Sequence, residues 1–359
     1  MSELSDLEKQ ITECIIKQDC DAIFSLLKTE RDYVFVMKIV PYYALFVQSC
    51  QEYMGKDFLK DINISDLKDI RNQIKSYSKG FSKARKNIIC INNDQNEFFR
   101  NQLRFDIFKT NNLYYNFGSY WTDNKKIIGN THEIEAGLCV KSMFDSDISY
   151  RILSIGNKIS TYVLAIKNEF GDNTEEYNIK RPVRKISIKK HIDFNTNKDE
   201  LLFGKNQCKE LNLLYINLLC DMNFVKYVLH CLFEKDNIWV FRIEYLVSYY
   251  TYLSLGRLKN YCENNKDVKI DVDQVSDIIS EGKKMFCSNL RNCMMHYDLV
   301  GANVITKENA NKDFFGIIEN CFEGMSYQEY LISLHQYSDM IIDYLEKQFD
   351  FSNISLGTL

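Results

Sequence analysis

The sequence predicts an α+β protein that is predominantly α-helical. Apolar residues recur at helical spacing at both ends of the chain, while short β-prone runs concentrate in its middle. Only two prolines occur, Pro41 and Pro182, and scarce proline favours long uninterrupted helices. We therefore predict an N-terminal helical region (1–87), a mixed, mostly β region that senses a signal or positions RNA (88–198), and a helical bundle (199–359).

Composition supports a packed core and limits the binding classes. Hydrophobic residues make up 45% of the 359, with 23 tyrosines and 23 phenylalanines, so we expect a sizeable packed core and no global disorder. The net charge of −4 is not typical of a general nucleic-acid binder. Any contact with RNA must therefore use local basic patches.

The cysteines and the apolar runs predict a location. The twelve cysteines form no CxxC and no Cys/His pair at zinc spacing, so we expect free thiols in a reducing cytoplasm. The N-terminus lacks the basic start of a signal peptide. The strongest apolar run, 33–47, contains Lys38 and Pro41 and is shorter than the ~20 residues that span a bilayer. We expect a soluble cytoplasmic protein with no membrane segment.

The N-terminal region carries a basic ridge. Ser65 opens a candidate helix, along which basic residues recur every four positions: Arg71, Lys75, Lys79 and Lys83. Two interpretations remain open, a solvated helix face and a surface that faces RNA or a partner.

The middle region contains three β-prone runs, Ile88–Ile91, Arg104–Phe108 and Thr161–Ile166, separated by turn residues. These runs predict strands. The densest basic cluster of the chain follows them: Lys180, Arg181, Arg184, Lys185, Lys189 and Lys190. An edge strand protected by lysines and a phosphate-binding surface for RNA explain this cluster equally well.

The C-terminal region shows four long helical patterns, over roughly 206–233, 237–262, 273–297 and 326–349. The last has one broad apolar face, and short links join most of the four. Such helices predict a bundle.

One segment near the end of the third bundle helix has the residue types that cleave RNA without a metal: Arg291-Asn292-Cys293-Met294-Met295-His296. Histidine titrates near neutrality and suits general acid–base work. Arginine offers a charged planar fork to phosphate oxygens, and Asn292 can orient either partner. Arg291 and His296 diverge by about 140° on an ideal helix. They converge only through the long arginine side chain, a loosened last turn, or a second copy of the chain in a two-fold dimer.

The stretch Leu290–Tyr297 resembles the R-N-x-x-x-H signature of the HEPN superfamily, and its setting, about 200–350, is similar to the helical bundle of that superfamily. The resemblance implies a ribonuclease of an abortive-infection, toxin or other prokaryotic antiviral defence system. It implies Arg291, Asn292 and His296 as catalytic residues. Tyr297 follows the histidine directly and is a candidate helper.

Together these features predict a cytoplasmic, metal-independent RNA endonuclease, active as a homodimer, without cofactor or metal ligands. An inhibitory or triggering protein is a further expected partner. The alternative is a non-catalytic HEPN-like module that binds a protein or a nucleotide.

Other polar residues of the bundle receive weaker assignments. Glu244 in the second bundle helix is a second candidate helper. We interpret His335 and Asp339, which are i and i+4, as a surface ion pair, and His230 as a satisfied core histidine.

Overall fold

The computed structural model of the chain describes residues 3–28, 33–55, 57–104, 109, 114–138, 147–170, 190–197, 208–234, 236–297, 299 and 304–351. Its described part is predominantly helical and contains a small three-stranded antiparallel sheet, which confirms the predicted class.

The N-terminal region is helical, as predicted. Its helices are α1 (Glu3–Leu27), α2 (Tyr33–Met54), α3 (Ser65–Asn72) and α4 (Phe81–Gln102). Two 3₁₀ turns, Gln73–Lys75 and Tyr77–Lys79, link α3 to α4. Gly80 then adopts φ 111°, a conformation that favours glycine, so the predicted basic ridge does not continue along one helix.

Two of the predicted strands in the middle region are helical, so those predictions were wrong. Ile88–Ile91 lies inside α4, where Ala84, Ile88 and Asn92 are buried at helical spacing. Thr161–Ile166 lies inside α6 (Ile148–Phe170), where Ile155, Ile159 and Val163 are buried in the same way. Burial of one helix face outweighs the β preference of these isoleucines and valines. Most of the third run, residues 105–108, lies outside the described residues.

The sheet holds β1 (Phe117–Trp121), β2 (Ile127–Asn130) and β3 (Lys190–Phe194) in the order β2-β1-β3. Tyr120 pairs with Gly129 on one side of β1 and with His191 on the other. Helix α5 (Thr131–Leu138) follows β2 directly.

The C-terminal region is helical over all four predicted ranges, but a π-helical turn interrupts the first range and an extended segment interrupts the third. The remaining helices are α7 (Lys209–Phe224), α8 (Ile238–Asn264), α9 (Val272–Met285), α10 (Ser288–Met295), α11 (Ile317–Cys321) and α12 (Tyr327–Glu346). A π-helical turn, Val225–Leu229, extends α7 and leads into a last short turn, His230–Leu232.

The helix predicted over 273–297 is two helices. Phe286 and Cys287 between α9 and α10 have extended backbones, and the Cys287 side chain accepts a hydrogen bond from the Leu290 N–H. This break makes α10 a separate short helix, and it carries most of the Arg291–His296 motif.

One hydrophobic core joins all three regions of the sequence. Buried residues from Ile11 in α1 to Phe349 after α12 belong to a single cluster. Helix α8 lies at its centre and packs against α1, α4, α7, α9, α10 and α12. Among the residues that the structure describes, no helix combines the length and apolarity needed to cross a membrane.

Candidate active site

Helix α10 ends one residue before the histidine of the motif. His296 has φ −143° and ψ 157°, so its backbone is extended and its side chain leaves the helical direction. The last turn is held from outside, since Ser49 Oγ donates to the Met295 carbonyl at 3.0 Å. Arg242 Nη1 lies 3.4 Å from the carbonyls of both Cys293 and Met294. The last turn is intact, since the His296 N–H donates to the Asn292 carbonyl at 2.9 Å, and the extended backbone of His296 redirects its side chain within a single chain.

A buried ionic cluster supports this helix end. Arg242 Nε lies 3.0 Å from Asp19 Oδ2 in α1, and the same oxygen accepts the Tyr297 hydroxyl at 2.6 Å. The guanidinium also lies 4.5 Å above the Tyr297 ring. Burial raises the pKa of Asp19, although the charge of Arg242 and the Tyr297 hydroxyl act in the opposite direction. Desolvation offsets much of the attraction in such a cluster, but removing one partner would destabilise the fold, because it leaves a buried charge without its counterion.

His296 is oriented by an acid from the N-terminal region. Its Nδ1 lies 2.8 Å from Oε2 of Glu52 in α2. A carboxylate only accepts hydrogen bonds, so Nδ1 carries the proton and Nε2 is the nitrogen available for proton exchange. About a third of the His296 side chain is exposed, which makes it reachable from solvent. Glu52 Oε1 also lies 3.4 Å from Nη1 of Arg71.

Arg291 lies among other cations. Its Nη1 donates to Asn292 Oδ1 at 2.7 Å. Burial lowers the pKa of Lys75, and the charges of Arg71, Lys79 and Arg291 lower it further. Burial raises the pKa of Tyr250, while Arg291 and Arg71 oppose that rise. We call Arg71, Lys75 and Arg291 the cationic patch.

The cationic patch and His296 lie on one surface, because Arg71 of the patch and His296 both contact Glu52. Like charges held close together repel one another and gain free energy when an anion binds between them. An imidazole with a defined proton-exchanging nitrogen lies beside them. The arrangement therefore suits binding of a phosphate and transfer of a proton next to it.

The two candidate helpers lie elsewhere. Tyr297 is 5% exposed and its hydroxyl donates a hydrogen bond to Asp19, so it stabilises the end of α10 from the core side. Glu244 lies two residues after Arg242 on α8, which places it about 200° around that helix from the α10 contact. Its carboxylate meets His230 and His335 instead.

This contact bears on two histidine predictions. His230 is satisfied, as predicted, by Glu244 Oε2 at 2.9 Å, but it is half-buried and lines a cavity. His335 Nε2 lies 3.0 Å from Glu244 Oε2, whereas Asp339 pairs with Lys226 at 2.5 Å. The structure thus gives each residue of the predicted His335–Asp339 pair a partner on another element, Glu244 and Lys226.

Most of the predicted RNA-binding cluster lies outside the described residues, namely Lys180, Arg181, Arg184, Lys185 and Lys189. Lys190 begins β3 and pairs in register with Trp121.

Sequence reasoning missed Glu52 altogether. It lies 244 positions before His296, and no local pattern connects the two. Arg71 and Lys75 were visible as part of the basic ridge, and the structure places them beside the motif.

Comparison with known proteins adds no relative: no protein-family model, no curated protein and no solved structure matches the chain.

Proposed function

We propose that the protein is a metal-independent RNA endonuclease whose active site contains Arg291, Asn292 and His296. The observation that carries the proposal is the position of His296, bonded to Glu52 and adjacent to the cationic patch. Cations for a phosphate and a group that moves protons are the two requirements for cleavage by the RNA 2′-hydroxyl.

The chemistry assigns a role to each side chain. His296 Nε2 takes the proton of the 2′-hydroxyl or gives one to the departing 5′-oxygen. The oxygen of the 2′-hydroxyl bonds to phosphorus, the bond to the 5′-oxygen breaks, and a 2′,3′-cyclic phosphate remains. Arg291 and Arg71 stabilise the charge that develops on the phosphorane, and Asn292 holds the Arg291 guanidinium in place. Glu52 is a positioning residue that fixes the imidazole proton on Nδ1.

The homodimer remains part of the proposal for a chemical reason. Cleavage uses a base at one oxygen and an acid at the other, and one chain brings a single histidine to this surface. A second copy would supply the other. The bundle setting and the resemblance to HEPN proteins also support a cytoplasmic role in prokaryotic antiviral defence or a toxin system, with RNA as substrate and a protein partner as inhibitor or trigger.

The test is cleavage of total RNA in EDTA by the wild type, Arg291→Ala and His296→Ala. We expect both variants to lose at least about a hundredfold in rate, as is typical when an acid–base or charge-stabilising group is removed. A matched control is His191→Ala, since His191 also contacts a carboxylate, Asp193, at 3.0 Å but belongs to the sheet.

Equal cleavage by all four proteins would refute the assignment and would point to a contaminating nuclease. Absence of cleavage by a folded wild type, together with tight binding of RNA or a nucleotide, would favour the non-catalytic module.

A further inference from the structure

Three side chains that are distant in sequence converge beneath the surface of the bundle. His230 follows the π-helical turn, Glu244 lies in α8 and His335 lies in α12. Glu244 Oε2 is 2.9 Å from His230 Nε2 and 3.0 Å from His335 Nε2. The two imidazole rings are nearly perpendicular, and their centroids are 5.0 Å apart.

We propose that His230, Glu244 and His335 form a binding site for a divalent first-row transition metal ion such as Zn²⁺. Among the described residues they form the one group of three or more His, Cys, Asp or Glu side chains whose donor atoms all lie within 4.8 Å of one another. The proposal is independent of RNA cleavage, because these residues are not part of the Arg291–His296 surface.

The distances fit such an ion. Zinc binds imidazole nitrogen and carboxylate oxygen at about 2.0–2.2 Å, so neighbouring ligands are separated by about 3.0 Å in octahedral and about 3.4 Å in tetrahedral geometry. The two observed O–N distances lie near the octahedral separation and about 0.4–0.5 Å below the tetrahedral one. Two imidazoles and one carboxylate favour zinc and other late first-row ions over Mg²⁺ or Ca²⁺, which prefer oxygen ligands.

The surroundings hold the carboxylate in one orientation. Ser338 Oγ donates to Glu244 Oε1 at 3.1 Å, and Ser248 Oγ lies 2.9 Å from Ser338 Oγ. Hydrogen bonds from residues that do not touch the ion commonly orient metal ligands in this way.

A cavity of about 250 Å³ adjoins the three side chains. Its wall combines the apolar Met222, Val225 and Val247 with the pair Lys226–Asp339. Since a water molecule occupies about 30 Å³, the cavity has room for several waters or a small ligand. The ion would keep coordination positions that face this space.

The backbone beside His230 has a feature that is common at functional sites. The π-helical turn Val225–Leu229 follows α7 and ends just before His230. A π turn changes the direction of the residues that follow it, and such turns occur frequently at functional sites.

The experiment measures binding of Co²⁺ and Zn²⁺ to the full chain after chelation and removal of the chelator. Co²⁺ is followed by its visible absorption, and Zn²⁺ by competition with a chromophoric chelator. We expect one high-affinity ion per chain. His230→Gln and His335→Gln should weaken binding by about a hundredfold or more, and Ser338→Ala by about tenfold, because outer contacts typically account for 10–100-fold.

His191→Gln is the matched control and should bind as the wild type does, because the contact of His191 with Asp193 lies in the sheet. Thermal unfolding of each variant without metal checks the fold, and Ser338→Ala keeps the test valid if a ligand variant fails to fold. Arg291→Ala should bind the ion normally, which separates this inference from the nuclease. Failure of the wild type to bind either ion at 100-fold molar excess would overturn the proposal, as would equal binding by His335→Gln.

Discussion

Replacing Asp19 by asparagine removes the carboxylate that neutralises Arg242 in the core. Asp19 is fully buried and Arg242 is 5% exposed, so neither water nor another charge can easily replace the lost partner. Breaking a buried pair in this way costs about 3–5 kcal/mol. Tyr297→Phe removes one 2.6 Å hydrogen bond to the same carboxylate, which is worth about 1.5–3 kcal/mol.

The assay is urea unfolding at pH 7, with the free energy of unfolding obtained by linear extrapolation. The double variant should lose less than the sum of the two single losses, because both substitutions act on one oxygen. Asp66→Asn is the control: Asp66 pairs with Lys158 at 2.7 Å in a partly exposed position, so its loss should stay below about 1 kcal/mol.

Asp19→Asn should also slow RNA cleavage at temperatures where the variant is folded, because Arg242 holds the end of α10. A loss of stability no larger than that of Asp66→Asn would refute the reasoning about the buried cluster. Normal cleavage by a destabilised variant would show that the cluster stabilises the fold without positioning His296.

Glu52→Gln should lower the cleavage rate by about tenfold to a hundredfold without a matching rise in KM, because it weakens the orientation of His296. Lys75→Ala should be tested in a His296→Ala background, which is expected to bind RNA without cutting it. It should reduce the slope of the logarithm of the RNA-binding constant against the logarithm of the salt concentration by about one. Burial lowers the pKa of His132 to about 3, so the unfolded chain takes up a proton below pH 6.5 and the folded chain does not. Stability should therefore fall by about 2 kcal/mol between pH 7 and pH 5 through this residue, and His132→Leu should abolish that part of the loss.

Substitutions elsewhere on the surface are the controls for the cleavage and binding predictions. Glu13→Gln, a change at a second partly exposed glutamate, should leave the rate unaltered. Lys266→Ala removes an exposed lysine and should leave the salt dependence of RNA binding unaltered. A pH dependence in His132→Leu identical to that of the wild type would contradict a neutral buried imidazole in the folded state.

The sequence predicted the parts of the fold that depend on local pattern. The long apolar periodicities over 237–262 and 326–349 correspond to α8 and α12. The break at Phe286 and Cys287 was not predicted, because both residues also fit a continuous helical pattern. The strand predictions failed where runs such as Ile88–Ile91 expose one side of a helix: Ile88 is buried, but Ile89 is 36% exposed.

The site was predictable only in its local half. The motif placed Arg291, Asn292 and His296 together, and the ridge contained Arg71 and Lys75. Contacts across long separations were not accessible to local patterns, and both Glu52–His296 and the His230–Glu244–His335 group are of this kind. Glu244 was predicted as a candidate helper of the motif, but helical phase directs it toward His230 and His335 instead.

One measurement separates the nuclease from every other explanation: cleavage, in EDTA, of an RNA and of its 2′-O-methyl counterpart of the same sequence. We predict that the wild type cuts only the RNA, leaves 2′,3′-cyclic phosphate ends, and loses this activity in His296→Ala. Cleavage of both substrates, or equal cleavage of the RNA by His296→Ala, would contradict 2′-hydroxyl attack assisted by His296.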